Sequence, residues 1–123
     1  MSGIFNLEKP AVLIHAEKNV DEKIYLDLLH GIEEEGIPSR KENFEIKDAI
    51  ELASDASEKS SLGVGLGIDN QWIVLHQEKL EKNQYLFKIR IDSRPEAKRE
   101  LGKNAARLVK KTPFSIKYLR KES

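Results

Sequence analysis

Apolar residues recur along the chain in alternating short and long segments. Residues 10–16 hold a short apolar run that predicts a buried strand. Asn19 or Asp21 can cap the helix that follows. In it Ile24, Leu28 and Ile32 recur every four residues, beside Tyr25 and Leu29, which predicts a helix to about Glu35. Gly36 suits the position after a helix end, and Pro38 forbids continuation. Residues 41–46 alternate and predict a second strand. Asp48 then caps a short helix with Ile50, Ala53 and Leu52 inward. Residues 62–68 predict a glycine-rich third strand, Asp69-Asn70 a turn, and residues 72–76 a fourth strand directly after it. Residues 85–91 alternate as a fifth strand. Pro95, after Ser93 or Arg94, opens a last helix that runs to about Lys111 and ends before Pro113. Strands alternating with helices predict an α/β fold. The short turn between strands three and four makes that pair antiparallel, so the sheet is mixed.

Composition narrows the function classes. A chain of 123 residues, 39% hydrophobic and 34% charged, suits one soluble α/β domain over 1–123. A leader over 1–9 and a basic tail over 115–123 are expected to be flexible. With no cysteine there is no disulfide framework, thiolate zinc site or cysteine nucleophile. The apolar run 11–14 is far shorter than the roughly 20 residues that cross a bilayer, and residues 1–7 lack a secretory-signal pattern. A cytoplasmic protein with no membrane association is expected. His15, His30 and His76 form no i, i+4 pair, so no histidine metal site built by this chain alone is expected.

Charge changes the picture more. The 21 Lys and Arg balance the 21 Asp and Glu, which argues against a nucleic-acid binder. Yet residues 1–60 carry 7 basic and 14 acidic side chains, a balance of −7, and residues 61–123 carry 14 and 7, a balance of +7. Glu33, Glu34 and Glu35 concentrate the acidic excess in the last turn of the first helix. The helix dipole disfavours each there by about 0.3–1 kcal/mol. Such a cluster is either a solvated helix end or a place that meets a cation: a basic partner surface, or a hard divalent metal completed by another chain. On the last helix Ala97, Leu101, Ala105 and Leu108 form an apolar stripe. Arg99, Lys103, Arg107 and Lys110 form a basic rail on the other side, suited to solvent or to an acidic protein surface. No aromatics interleave with the rail as a nucleic-acid platform requires. Mid-helix Gly102 points to close helix packing.

Gly63-Val64-Gly65-Leu66-Gly67 is neither a dinucleotide nor a Walker pattern. Its period of two puts the glycines on one face of the strand, where a helix or partner can approach closely. No nucleophile–base set can be assembled from spacing, so no catalytic residue is assigned. Single strand histidines such as His15 and His76 read as structural, and Trp72 as a core or interface anchor.

The segments Gly31-Ile32-Glu33-Glu34-Glu35-Gly36-Ile37-Pro38 and Gly102-Lys103-Asn104-Ala105-Ala106-Arg107-Leu108-Val109-Lys110, with Pro113-Phe114 after the second, resemble the small subunit of the coenzyme B12-dependent diol/glycerol dehydratase reactivating factor. The resemblance covers most of the chain. It departs in the N-terminal leader and in the Lys-rich tail, residues 117–123. It implies a three-layer α/β/α fold with a mixed, mostly parallel five-stranded sheet, similar to the dehydratase medium subunit and anticodon-binding-domain-like. It also implies a non-catalytic subunit paired with a large ATPase subunit, two of each. ADP or ATP would sit only on the large subunit. The complex would bind inactivated B12-dependent dehydratase and release damaged cobalamin by subunit exchange. Glu34 matches the family's ligand to Mg²⁺ (or Ca²⁺) at the interface with the large subunit. Glu33, Glu34, Glu35, Asn104 and Arg107 are the expected partner contacts. Association with a bacterial microcompartment stays open, as does the choice between glycerol and propanediol dehydratase. The alternatives are a stand-alone flavodoxin-like nucleotide-binding module or enzyme, and a shortened dehydratase medium subunit. Against the first, residues 16–21 contain no glycine and two acids.

Overall fold

Six consecutive buried residues form the first strand, β1 (Val12–Glu17), and its place in the sheet explains that burial. In the computed structural model, which describes residues 9–45 and 47–119, β1 has a parallel neighbour on each side. These are β2 (Ser39–Phe44), at the sheet edge, and β3 (Val64–Ile68). Both faces of β1 are covered as well, so His15 and Glu17 are enclosed along with the apolar residues. Beyond β3 come β4 (Trp72–Gln77) and β5 (Phe87–Arg90), each antiparallel to its predecessor. The sheet order is β2-β1-β3-β4-β5, and β4 alone runs against the other four.

Helices α1 (Lys23–Glu34) and α3 (Pro95–Lys110) share one face of the sheet, and α2 (Ala49–Lys59) lies on the other. On the first face Ile14, Leu66, Ile68 and Leu75 pack with Tyr25, Leu28 and Ile32 of α1 and with Leu101 and Ala105 of α3. Burying each large aliphatic side chain there contributes about 1.5–3 kcal/mol. On the second face Ala49 and Ala53 meet Val74, with Ile50 and Trp72 at the margin. The three-layer arrangement and the mixed sheet therefore match the sequence expectation. α2 turns inward through Ala49, Leu52, Ala53 and Ala56, while Ile50 is only partly buried.

Two glycine pairs set how closely the layers approach. A Cβ at Gly65 would meet the backbone of Ala56 and Ser57, and one at Gly67 that of Ala49 and Ala53. Small residues on both sides thus let α2 lie directly on β3. Gly63 departs from the expected pattern. It precedes β3 at φ +73°, in a turn, so only two of the three glycines line the strand face. On the other layer Gly31 faces the Arg99 backbone and Gly102 faces that of Leu28, so α1 and α3 cross through reciprocal glycines. The helix-propensity cost of about 1 kcal/mol per glycine is offset by a helix contact that any side chain would prevent.

Element ends follow their local chemistry. Asp48 accepts from Glu51 N at 2.9 Å and caps α2 as expected. Asp69 does double service: Oδ1 accepts from the backbone N–H groups of Gln71 and Trp72, closing the β3–β4 turn, and Oδ2 accepts from Ala49 N. β2 starts and ends two residues earlier than expected, and Ile46 lies outside the described residues. β5 is shorter than the expected 85–91. α3 ends at Lys111, whose φ of 61° turns the chain out of the helix. From there the chain folds back along α3, and residues 115–119, expected to belong to a flexible tail, are hydrogen-bonded to that helix. The remainder of the expected flexible ends, 1–8 and 120–123, lies outside the described residues.

Candidate partner interface at the acidic helix end

The three glutamates at the end of α1 have three different surroundings. Glu33 is exposed. Glu34 is half-exposed and loosely paired, its Oε1 3.5 Å from Lys103 Nζ and its Oε2 4.0 Å from Arg99 Nε. Glu35 is locked: its side chain is only 14% exposed, with Oε1 2.8 Å from Lys110 Nζ and Oε2 3.2 Å from Arg107 Nε. Lys110 also donates to the Glu35 carbonyl at 3.0 Å, placing a cation where the α1 dipole is negative. The Lys110 hydrogen bond holds the Glu35 carboxyl below its ordinary value. Burial opposes that shift, and the Arg107 and Lys110 charges reinforce it.

The basic rail of α3 is thus answered inside the chain. The α1–α3 crossing at Gly31 and Gly102 puts Arg99, Lys103, Arg107 and Lys110 beside the acidic helix end, which partly cancels the opposed charge of the two halves. Glu35→Gln is expected to lower stability by about 0.5–1 kcal/mol at pH 7, because these pairs are partly exposed. Because the folded state depresses the Glu35 carboxyl, its contribution is present above the ordinary value of 4.5 and is lost as pH falls through the folded value. Urea titrations of both proteins from pH 7 to 3 check this: the two stability curves should converge at the acid end.

Asn104 and Arg107, the other expected partner contacts, are turned to internal use. Asn104 is fully buried. Its Nδ2 donates to Ser115 O, and its Oδ1 accepts from Ser115 N, both at 2.8 Å. Arg107, besides Glu35, reaches the Pro113 carbonyl. One turn before Asn104, the buried Glu100 carboxylate receives the Ser115 hydroxyl and the backbone N–H groups of Lys117 at 2.8 Å, Tyr118 at 2.6 Å and Leu119 at 2.8 Å. Burial raises the Glu100 carboxyl, but these hydrogen bonds together outweigh it and leave the group below its ordinary value. Sequence reading missed Glu100. The available signal was its i, i+4 spacing to Asn104, which puts the two on one helix face.

Between this fastened segment and the end of α1 lies an open groove of about 330 Å³, lined by Glu34, Arg99 and Lys103 together with Glu96, Glu100, Ser115, Lys117 and Tyr118. A single half-exposed carboxylate with loose pairs can give one hard oxygen to a divalent cation. Among the described residues no group of three His, Cys, Asp or Glu converges on a metal position, so a cation there would take its remaining oxygens from water, backbone carbonyls or another chain.

Two of the histidines, His15 and His76, are enclosed in the fold, and His30 is exposed beside Glu33 and Glu34. The Lys82 carbonyl only accepts, so His76 Nε2 carries the proton it donates there at 2.8 Å, while Nδ1 faces the Gln77 backbone. His15 is buried against Phe44 with its Nδ1 unpartnered, and burial lowers its pKa. Trp72 packs at the margin of the α2 layer with Lys88 Nζ 4.3 Å from its ring centroid, consistent with an anchoring role.

Residues 9–115 match the family described as dehydratase medium subunit. The chain is 38% identical over 109 residues to the propanediol dehydratase-reactivating factor small subunit of Citrobacter freundii, covering 89% of this chain and 93% of that one. It is 36% identical to the diol dehydratase-reactivating factor small subunit of Klebsiella michiganensis, covering 89% and 86%. A solved diol dehydratase-reactivating factor complexed with ADP and Mg²⁺ contains a chain that aligns with a TM-score of 0.83 at 34% identity, covering 88% of this chain and 99% of that one. A solved glycerol dehydratase reactivase aligns with the same TM-score at 28% identity, covering 87% and 97%.

Proposed function

The chain belongs to the dehydratase medium subunit family, among the small subunits of diol and glycerol dehydratase-reactivating factors, and from that membership we propose a non-catalytic subunit that joins a large ATPase subunit to reactivate a B12-dependent dehydratase. The large subunit carries the nucleotide, and two copies of each chain form the complex. The complex engages the inactivated dehydratase and exchanges subunits with it, so that damaged cobalamin leaves. The work proceeds in the cytoplasm. No helix among the described residues is long and apolar enough to cross a membrane.

The observation that carries this reading is the contrast between Glu34 and Glu35. Electrostatics alone would have both carboxylates held by the rail. Instead Glu35 makes the short pairs, and Glu34 keeps about half of its side-chain surface at the mouth of a groove. Glu34 is the residue that would hold Mg²⁺ (or Ca²⁺), and such an ion would tie this helix end to carboxylates of the large subunit. Glu34 shares the groove lining with Arg99 and Lys103.

Glu34→Gln tests the assignment, since it keeps the size and removes the charge. Binding to the purified large subunit is measured by calorimetry across a Mg²⁺ titration. The variant is expected to lose at least about tenfold in apparent affinity at saturating Mg²⁺ and little in its absence. Identical assembly of variant and wild type at every Mg²⁺ concentration overturns the metal assignment.

A further inference from the structure

The segment that follows α3 is fastened by two buried polar side chains, yet it buries little itself. Leu119 is enclosed, while Ile116 is 66% exposed and Tyr118 stands at the surface. The bonds to Glu100 and Asn104 fall on Ser115, Lys117, Tyr118 and Leu119, on both sides of Ile116. Such fastening holds an isoleucine outward in one place. It removes in advance the ordering entropy that a loose apolar side chain would lose on binding.

This loop is also continuous with the Glu34 groove, since Ser115, Lys117 and Tyr118 line it. Glu34 faces both this groove and a shallower depression beside His30 and Glu33, and a chain that reaches it through the groove would cover the loop. The groove carries both signs of charge, Arg99, Lys103 and Lys117 beside Glu34, Glu96 and Glu100, with the outward Ile116 in the loop at its margin.

We propose that residues 115–119 are the second half of the docking surface for the large subunit. Ile116 is its apolar anchor, and Lys117 is its charged rim. This rests on the reading of the chain as the small subunit and adds to it a contact that needs no metal. Glu100 and Asn104 contribute indirectly, by holding the loop in shape.

The test compares Ile116→Asp with Glu34→Gln in binding to the purified large subunit across a Mg²⁺ titration. Ile116 is largely exposed, so its variant should melt at the wild-type temperature, which makes its binding interpretable. Ile116→Asp is expected to raise Kd at least about tenfold at every Mg²⁺ concentration where a complex forms, with the midpoint of the Mg²⁺ dependence unmoved. Glu34→Gln moves that midpoint instead. A Kd for Ile116→Asp within twofold of wild type, beside a weakened Glu34→Gln, overturns this inference alone. Failure of the wild-type chain to bind the large subunit at any Mg²⁺ concentration overturns the subunit reading and this inference with it.

Discussion

Gly67→Val is expected to cost about 3–5 kcal/mol of folding stability. The position lies on β3, hydrogen-bonded to β1 on one side and β4 on the other, so the strand cannot move sideways without breaking both ladders. Above it the Ala49 carbonyl and the Ala53 amide occupy the space a Cβ would need. These are backbone atoms, which no rotamer change can clear. α2 would have to lift, and with it Ala49, Leu52, Ala53 and Ala56, which are buried on the sheet. Overpacking a core typically costs about 1–3 kcal/mol. A branched side chain against helix backbone belongs at or above that end, roughly 3–5 kcal/mol. Total stability for a domain of this size is about 5–15 kcal/mol, so the loss is a large share of it. Gly36→Ala is the control. Its φ is +77°, but a Cβ there meets nothing within 4 Å, so the expected loss is only the left-handed backbone term of about 1–2 kcal/mol. Thermal unfolding followed by circular dichroism separates the two. Equal melting temperatures for Gly67→Val and Gly36→Ala would refute close layer packing as the reason for the glycine-rich strand.

Glu100→Ala is expected to release residues 115–119 while leaving the sheet intact. The variant removes the only acceptor among the described residues for the Lys117, Tyr118 and Leu119 amides and the Ser115 hydroxyl. Each bond from a neutral donor to a carboxylate contributes about 1.5–3 kcal/mol. The loss cannot reach their sum, because a freed tail rehydrates its amides. About 2–3 kcal/mol is the expected effect, most of it local. Hydrogen exchange at the amides of Lys117, Tyr118 and Leu119 reads it directly: protection present in the wild type should vanish in the variant, while β1 and β3 amides stay protected. The pH dependence has a definite sign. Because the folded state depresses the Glu100 carboxyl, its contribution is present above the ordinary value of 4.5 and fades as pH falls through the folded value. Wild-type protection at residues 117–119 should therefore decay in acid ahead of that of the sheet. If it persisted unchanged in Glu100→Ala at pH 7, the carboxylate would not be the clamp.

The fold was legible from sequence because its signals are local and repetitive. The i, i+4 spacing of Ile24, Leu28 and Ile32, Pro95 after Arg94, and the Asp69-Asn70 turn each report on a few neighbouring residues, and all appear as expected. The acidic end of α1 was legible as an anomaly, three carboxylates against a helix dipole. What the sequence could not divide was the work among them. Glu33, Glu34 and Glu35 are adjacent and chemically identical, and only the angle at which α3 crosses decides that Arg107 and Lys110 reach one of them closely. Asn104 looked like a partner contact within a recognisable motif, whereas it lies beneath the returning chain and bonds Ser115 in both directions.

By itself, then, the sequence determined the order of strands and helices, the antiparallel turn into β4, the close helix contact at Gly102 and the presence of a cation-seeking helix end. Short-range sterics and periodic burial govern each of these. The tertiary structure alone decided that the opposed charges of the two halves meet across the α1–α3 crossing, that Glu34 stays accessible while Glu35 is locked, and that Glu100 holds the chain after α3 in place. These depend on residues 15 to 75 positions apart in the chain reaching hydrogen-bond or ion-pair distance. Hydrogen bonds form only at about 3 Å and exposed charges are screened beyond about 8–10 Å, so no pattern along the chain can specify which pairs form until the packed core has fixed the helices against the sheet.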